Sequence, residues 1–155
     1  MNTLRHLAAA TSLVFGLASP AQAQLQCSGV TELPKIAGLY LDNFSGWHSI
    51  GKTAWLDFSD DRQFIFEVCS IDNAKHFLIA QNTASAPENI RKFSRFEWTE
   101  KDGQLAYCQQ VFDAASAAEA ADFSKYPAAN SANFNDEGCG QNGKFAWTIL
   151  GSVRR

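Results

Sequence analysis

The 155-residue chain lacks most of the features that mark the common functional classes. After the N-terminal stretch no apolar run approaches the ~18 residues that a membrane helix requires, so no membrane span is expected. Basic residues are not in surplus. The formal charge is −3, and a general nucleic-acid binder needs a basic face, so nucleic acid is not an expected partner. There is no G-x-S-x-G for a serine nucleophile, no H-E-x-x-H or H-x-x-x-H for a metal, and no C-x-x-C for zinc or thioredoxin-like redox chemistry. The acidic groups Asp57, Asp60 and Asp61, and the oxygen-rich run Asn133, Asn135, Asp136 and Glu137, do not follow EF-hand order. Turn chemistry accounts for both. No catalytic residue, metal ligand or cofactor is therefore assigned. No internal repeat or second domain is visible.

What is present begins with an export signal. Arg5 and His6 form a short basic region, Leu7 to Leu17 is apolar but too short to span a bilayer, and Ala21-Gln22-Ala23 is an A-x-A cleavage site. Residues 1–23 read as a secretory signal peptide cleaved after Ala23. Residues 24–155 then form a single β-rich domain, periplasmic or secreted. Gln26 stands where a lipoprotein needs a small residue before Cys27, which argues against lipidation.

All four cysteines, Cys27, Cys69, Cys108 and Cys139, lie beyond the cleavage site. An even count in an exported chain reads as two disulfides, with three connectivities open. The hairpin described next favours Cys108–Cys139, which leaves Cys27–Cys69.

The clearest structural signal is the run from Lys92 to Phe112. Asp102-Gly103 separates two alternating segments and suits a two-residue type I′ turn, whose central residues both need positive φ. That turn sets Trp98 opposite Tyr107, Phe96 opposite Gln109 and Glu100 opposite Leu105. By alternation Phe96, Trp98, Leu105, Tyr107 and Val111 share an apolar face, and Arg95, Glu97, Thr99, Ala106, Cys108 and Gln110 the other. Cys108 thus points away from the core, toward a side that the Gly138-Cys139-Gly140 loop can cover.

Other strands are expected over 36–44, 54–58, 63–69, 76–81 and 144–150, the last with Phe145, Trp147 and Ile149 on one face. Residues 82–90 and 128–143 read as loops. Ala114 to Phe123 has the best helix propensity, with Asp113 as cap or Ser116 with Glu119 as a capping box. About seven strands follow one another with a single helix among them. The expected fold is all-β, an antiparallel meander closing as a barrel or sandwich, with one short Ala-rich helix and two disulfides.

Several residues invite functional readings. Gly46 to Thr53, GWHSIGKT, fits the P-loop pattern letter for letter, but the alternating residues after it read as a strand, and phosphate binding there needs a helix. The expected structure is a glycine-containing hairpin connection. His48 and His76 are the only histidines after the signal and are candidates for a general base or ligand contact. Trp47 and Trp55 are candidate aromatic platforms for a ligand, whereas Trp98 and Trp147 share faces with apolar residues and read as core. Asn43-Phe44-Ser45 is a sequon, read as a strand end.

The segments Lys92-Phe93-Ser94-Arg95-Phe96-Glu97-Trp98, Leu105-Ala106-Tyr107-Cys108-Gln109, Gly138-Cys139-Gly140 and Phe145-Ala146-Trp147-Thr148 resemble a family of small exported bacterial proteins. The resemblance implies export and brings no activity and no site residues. Gly38-Leu39-Tyr40 is similar to the G-x-W opening of lipocalins, with Tyr in place of Trp, and implies a fold analogy alone.

The expected function is a non-enzymatic extracytoplasmic binding or surface-interaction protein, with an apolar small molecule as the natural guest of a barrel, or an envelope or extracellular protein as partner. The alternatives are a secreted hydrolase using His48 or His76 with an aspartate, and a secreted inhibitor presenting residues 82–90 or 128–143.

Overall fold

A computed structural model describes Cys27 and residues 30–153. The signal-peptide reading falls outside these residues. Asp102 and Gly103 both take positive φ, 54° and 76°, as a type I′ turn demands. The register follows: Trp98 pairs with Tyr107, Phe96 with Gln109 and Glu100 with Leu105. The two strands of this hairpin are β6 (Phe93–Lys101) and β7 (Gln104–Ala114). Before them come β1 (Gly38–Asp42), β2 (Trp47–Ile50), β3 (Ala54–Phe58), β4 (Gln63–Asp72) and β5 (Phe77–Asn82); β8 (Thr148–Ser152) closes the chain. Every neighbouring pair is antiparallel, and β8 pairs with both β7 and β1, so the eight strands form a closed up-and-down barrel. Closure removes the unpaired sheet edges that would otherwise template association.

The strand missing from the sequence reading is β2. It occupies half of the P-loop look-alike, and the segment turns at Gly51–Thr53 directly into β3 rather than into a helix. The match is a hairpin, and it offers no helix N-terminus to a phosphate.

An eight-stranded barrel has an interior just wide enough for side chains to fill. Here the shaft holds Ile50, Trp55, Phe66, Leu78, Phe96, Trp98, Tyr107 and Leu150, all buried. Trp55 stacks on Phe96 at 4.5 Å between ring centroids and meets Tyr107 edge-on at 4.9 Å. Leu39 and Leu41, which share a face as expected, point outward and are exposed; Tyr40 between them turns inward.

The chain between β7 and β8 travels over the outside of the barrel and buries the second face of β5, β6 and β7. Its one helical turn, α1 (Ala117–Ala120), is shorter than the expected Ala114–Phe123. The Ser116 side chain accepts from the Glu119 N–H and fixes the start there, while Glu119 accepts from the Ala115 N–H. Ala120 seals against Ile79, Phe93 and Val111.

Val111 departs from the expected face. A bulge in the β6–β7 ladder sets Arg95 opposite Val111 while Phe96 stays opposite Gln109. The extra residue, Gln110, reverses the alternation, so Val111 packs outside the barrel beneath α1.

The supposedly polar outer face of β6 is also buried. Arg95 is fully enclosed and donates to Glu97 Oε1 at 2.8 Å and to the carbonyls of Ala120, Tyr126 and Pro127 at 3.0, 2.6 and 3.1 Å. Glu97 Oε2 accepts from the Ala129 N–H at 3.0 Å. The Phe123 ring covers the guanidinium at 4.0 Å. This pair pins the outer chain to the sheet through backbone groups that would otherwise be buried unpaired.

Both disulfides have the favoured pairing, Cys27–Cys69 and Cys108–Cys139, across 42 and 31 residues of sequence. In the chain-entropy picture, loops of this size correspond to about 4 kcal/mol each. Cys108–Cys139 ties the outer chain over Ala106, Phe134 and Trp147. Gly138 is obligatory there: φ is +99°, and a Cβ would lie 1.8 Å from the Asn130 carbonyl oxygen. Trp147 is buried as expected, yet outside the barrel. The final strand starts only at Thr148, so Phe145 is left 62 % exposed.

Candidate functional site

The barrel has two unlike ends. At one lie the short turns at 51–53, 73–76 and 102–103; at the other lie 43–46, 59–62, 83–92 and the long connection 115–147. The inward side chains change character toward the loop-bearing end, where Asp42, His48, Asp57, Asn82, Ser94 and Gln109 replace the aliphatic and aromatic residues of the shaft.

Asp42, the last residue of β1, organises the first turn. Its Oδ1 accepts from the N–H groups of Phe44 and Gly46 at 2.8 and 2.7 Å. Its Oδ2 lies 2.8 Å from Nε2 of His48. The antiparallel register pairs Tyr40 with His48, which sets the imidazole beside Asp42. Nδ1 of His48 lies 3.3 Å from the Trp55 indole Nε1. An indole N–H can only donate, so Nδ1 accepts and the proton sits on Nε2, directed at Asp42. The ring is fully enclosed and both its nitrogens are occupied.

Asp57 pairs with His48 across β2 and β3, and its Oδ1 is 3.8 Å from Nδ1. Burial holds the Asp57 carboxyl above the usual carboxylate range; His48 opposes that effect and Asp42 adds to it. Burial, with Asp57 and Asp42 behind it, pushes the Tyr107 phenol far above its ordinary value, so that group stays neutral.

Asp57 opens into a cavity of about 270 Å³ at this end of the barrel. Its lining combines the carboxylates of Asp57 and Glu88, the amide side chains of Asn82, Asn89 and Gln109, and the rings of Phe64, Phe66 and Phe112. Phe64 and Phe66 stack nearly parallel, 5.8 Å apart. Gln109 donates to Ser94 Oγ at 2.9 Å, and Asn82 donates to the Asn89 carbonyl at 2.7 Å, tying the 83–92 loop to β5. Asn82 is 2 % exposed, and its Oδ1 has no hydrogen-bond partner. Among the described residues only Gln81 Oε1, which alternation turns outward, shares that condition.

The residues singled out from sequence separate widely. His48 lies behind the cavity wall. His76 sits at positive φ in the turn before β5, at the opposite end, and stacks on Trp98 at 5.8 Å; the two histidines do not meet. Trp55 is fully buried at the barrel centre, so it is no surface platform, because β3 turns Trp55 and Asp57 inward. Trp47 is 51 % exposed on the outer wall between Leu41 and Phe58, away from the cavity. Asn82, Glu88 and Gln109 carried no signal of their own. Gln109 was readable as an inward residue from the hairpin register, and Asn82 as a polar residue ending an apolar strand.

No group of three or more His, Cys, Asp or Glu side chains among the described residues is placed to hold a metal ion. No described helix is long and apolar enough to cross a membrane. Two disulfides are consistent with an oxidising extracytoplasmic compartment. Compared with family models, with curated proteins and with solved structures, the chain matches none.

Proposed function

We propose that this protein is an extracytoplasmic, non-enzymatic binding protein that holds a small molecule at the loop-bearing end of its barrel. The observation that carries the reading is the cavity of about 270 Å³ walled by fixed polar groups, with the buried Asn82 Oδ1 lacking a donor. A buried acceptor without a partner costs roughly 1–3 kcal/mol, and this one belongs to a residue that lines the cavity. The volume lies just below the ~300–1,000 Å³ of typical small-molecule sites, so the guest is small. The shaft itself is filled by Trp55, Phe96 and Tyr107, which leaves the mouth, rather than the axis, as the place for it. Eight-stranded up-and-down barrels are also the frame on which lipocalins carry a single small ligand.

The hydrolase alternative has one feature in its favour, the Asp42–His48 pair at 2.8 Å. Against it, His48 spends Nε2 on Asp42 and Nδ1 on Trp55, so neither nitrogen is left to take a proton from a nucleophile.

Thermal-shift screening of the oxidised protein against amines, sugars, lipids and calcium tests the proposal. A guest at a hundredfold excess over its Kd adds about 2.7 kcal/mol of stability. The expected result is a stabilising small molecule whose effect disappears in Asn82→Leu. Stabilisation that survives Asn82→Leu unchanged would place binding elsewhere and overturn the assignment of this cavity.

A further inference from the structure

We infer that the guest of this cavity is a small organic cation, a protonated amine carrying a short apolar or aromatic group; the inference rests on the binding reading above. The lining contains two carboxylates, Asp57 and Glu88, and no lysine or arginine. Arg62 approaches Glu88 only at 3.6 Å and is itself more than half exposed, so it leaves the inner carboxylate untouched. Asp57 has no lysine or arginine partner among the described residues. The nearest candidate is His48, whose facing nitrogen already accepts the Trp55 N–H.

Three further properties of the wall select among charged and neutral guests. Asn82 lines the cavity and its buried Oδ1 has no partner, so a donor-rich guest suits this wall, and an ammonium offers three donors and no acceptor. The rings of Phe64 and Phe66 line the cavity and give an apolar bed for a carbon skeleton, and aromatic rings attract a cation within ~6 Å. An anion would meet the two carboxylates with nothing to offset the repulsion. No group of three or more acidic, His or Cys side chains among the described residues is placed to hold a metal ion. A neutral guest would desolvate Asp57 without pairing it, which is costly.

Isothermal titration calorimetry of the oxidised protein with matched probes tests this: phenethylamine and n-butylamine as cations, 2-phenylethanol and 1-butanol as neutral counterparts, and 3-phenylpropanoate as the anion. The amines are expected to bind with 1:1 stoichiometry and at least tenfold more tightly than the alcohols, and the anion not at all. Asp57→Asn should bring the amines down to the level of the alcohols, and Asn82→Leu should remove binding of both. If Asp57→Asn does not fold, the amine-to-alcohol ratio of the unaltered protein, together with Glu88→Gln on the exposed rim, still decides. Equal affinity for amines and alcohols, or an unchanged ratio in Asp57→Asn, overturns the cation assignment while leaving the cavity as a binding site. Failure of every probe to bind overturns both readings.

Discussion

Two groups of buried charge lie on opposite sides of one sheet and differ in every respect that matters for function. Outside the barrel, Arg95 and Glu97 balance each other, and all three guanidinium nitrogens and both carboxylate oxygens have partners. Inside, Asp42 is satisfied by two backbone N–H groups and His48, but Asp57 faces open volume, and Asn82, which lines that volume, has a buried Oδ1 without a donor. A network with every group paired anchors chain to chain. One that ends in surplus negative charge and an idle acceptor is incomplete without something else. The comparison separates structural polarity from functional polarity in a single molecule.

The largest expected effect comes from breaking the outer network. Arg95→Met leaves Glu97 buried without its cation and strands the Ala120 and Tyr126 carbonyls, while that of Pro127 keeps the Gln110 amide as a donor, so unfolding by denaturant should show a loss of about 3–5 kcal/mol. The double variant Arg95→Met/Glu97→Leu should recover part of that loss, because an apolar pair leaves no buried charge; a double variant as unstable as the single would show that the carbonyl contacts dominate.

His48→Leu attacks the satisfied half of the inner network. It deprives Asp42 of a donor and the Trp55 N–H of an acceptor. The expected cost is about 2–4 kcal/mol by the same measurement, with a blue-shifted or quenched indole emission from Trp55. Loss of stability without any change at Trp55 would contradict the assigned hydrogen bond.

Asn82→Leu addresses the unsatisfied half and should behave oppositely. It gives up one hydrogen bond to Asn89 but removes an orphaned acceptor and fills space beside Phe66. The net change in stability should stay within about 1 kcal/mol. A cost as large as that of Arg95→Met would erase the distinction between the two networks.

The smallest effect concerns pH. The Asp57 carboxyl is raised from 3.8 by burial, so the folded state holds that proton more tightly than the unfolded chain. Its contribution to stability is complete below the unfolded value and is lost as pH rises through the raised folded value. Asp57→Asn should therefore flatten that fall, leaving a difference from the parent protein of less than about 1 kcal/mol after solvent screening. Parallel stability–pH curves for the two proteins would show that Asp57 is not desolvated.

Much of this was readable in the chain. Asp102-Gly103 specified the turn and thereby the register of β6 and β7. The outward direction of Cys108, with the glycine-flanked Cys139, favoured the observed disulfide. The alternation after Thr53 declared a strand where a nucleotide site needs a helix. The candidate site was far less visible. Of its cavity, Asp57 had been noted only among acidic turn residues, and Trp55 and His76 were weighed as ligand contacts although neither touches it. The polar residues of the mouth come from β3, β5, β7 and the 83–92 loop, and no local pattern links them.

The sequence by itself determined what short-range chemistry governs: turns that need positive φ and the period of two that sorts side chains; for α1 it offered Asp113 or Ser116 as the cap, and the structure uses Ser116. Tertiary structure alone decided which side of β1 and β3 became the inside. A single bulge at Gln110 moved Val111 from one face to the other, and closure of β1 on β8 turned Trp55 into the centre of the core. It also decided that Arg95 and Glu97 would be buried, because the chain covering them returns from more than twenty residues away. Face and burial depend on pairings between distant strands, and alternation along one strand is blind to them.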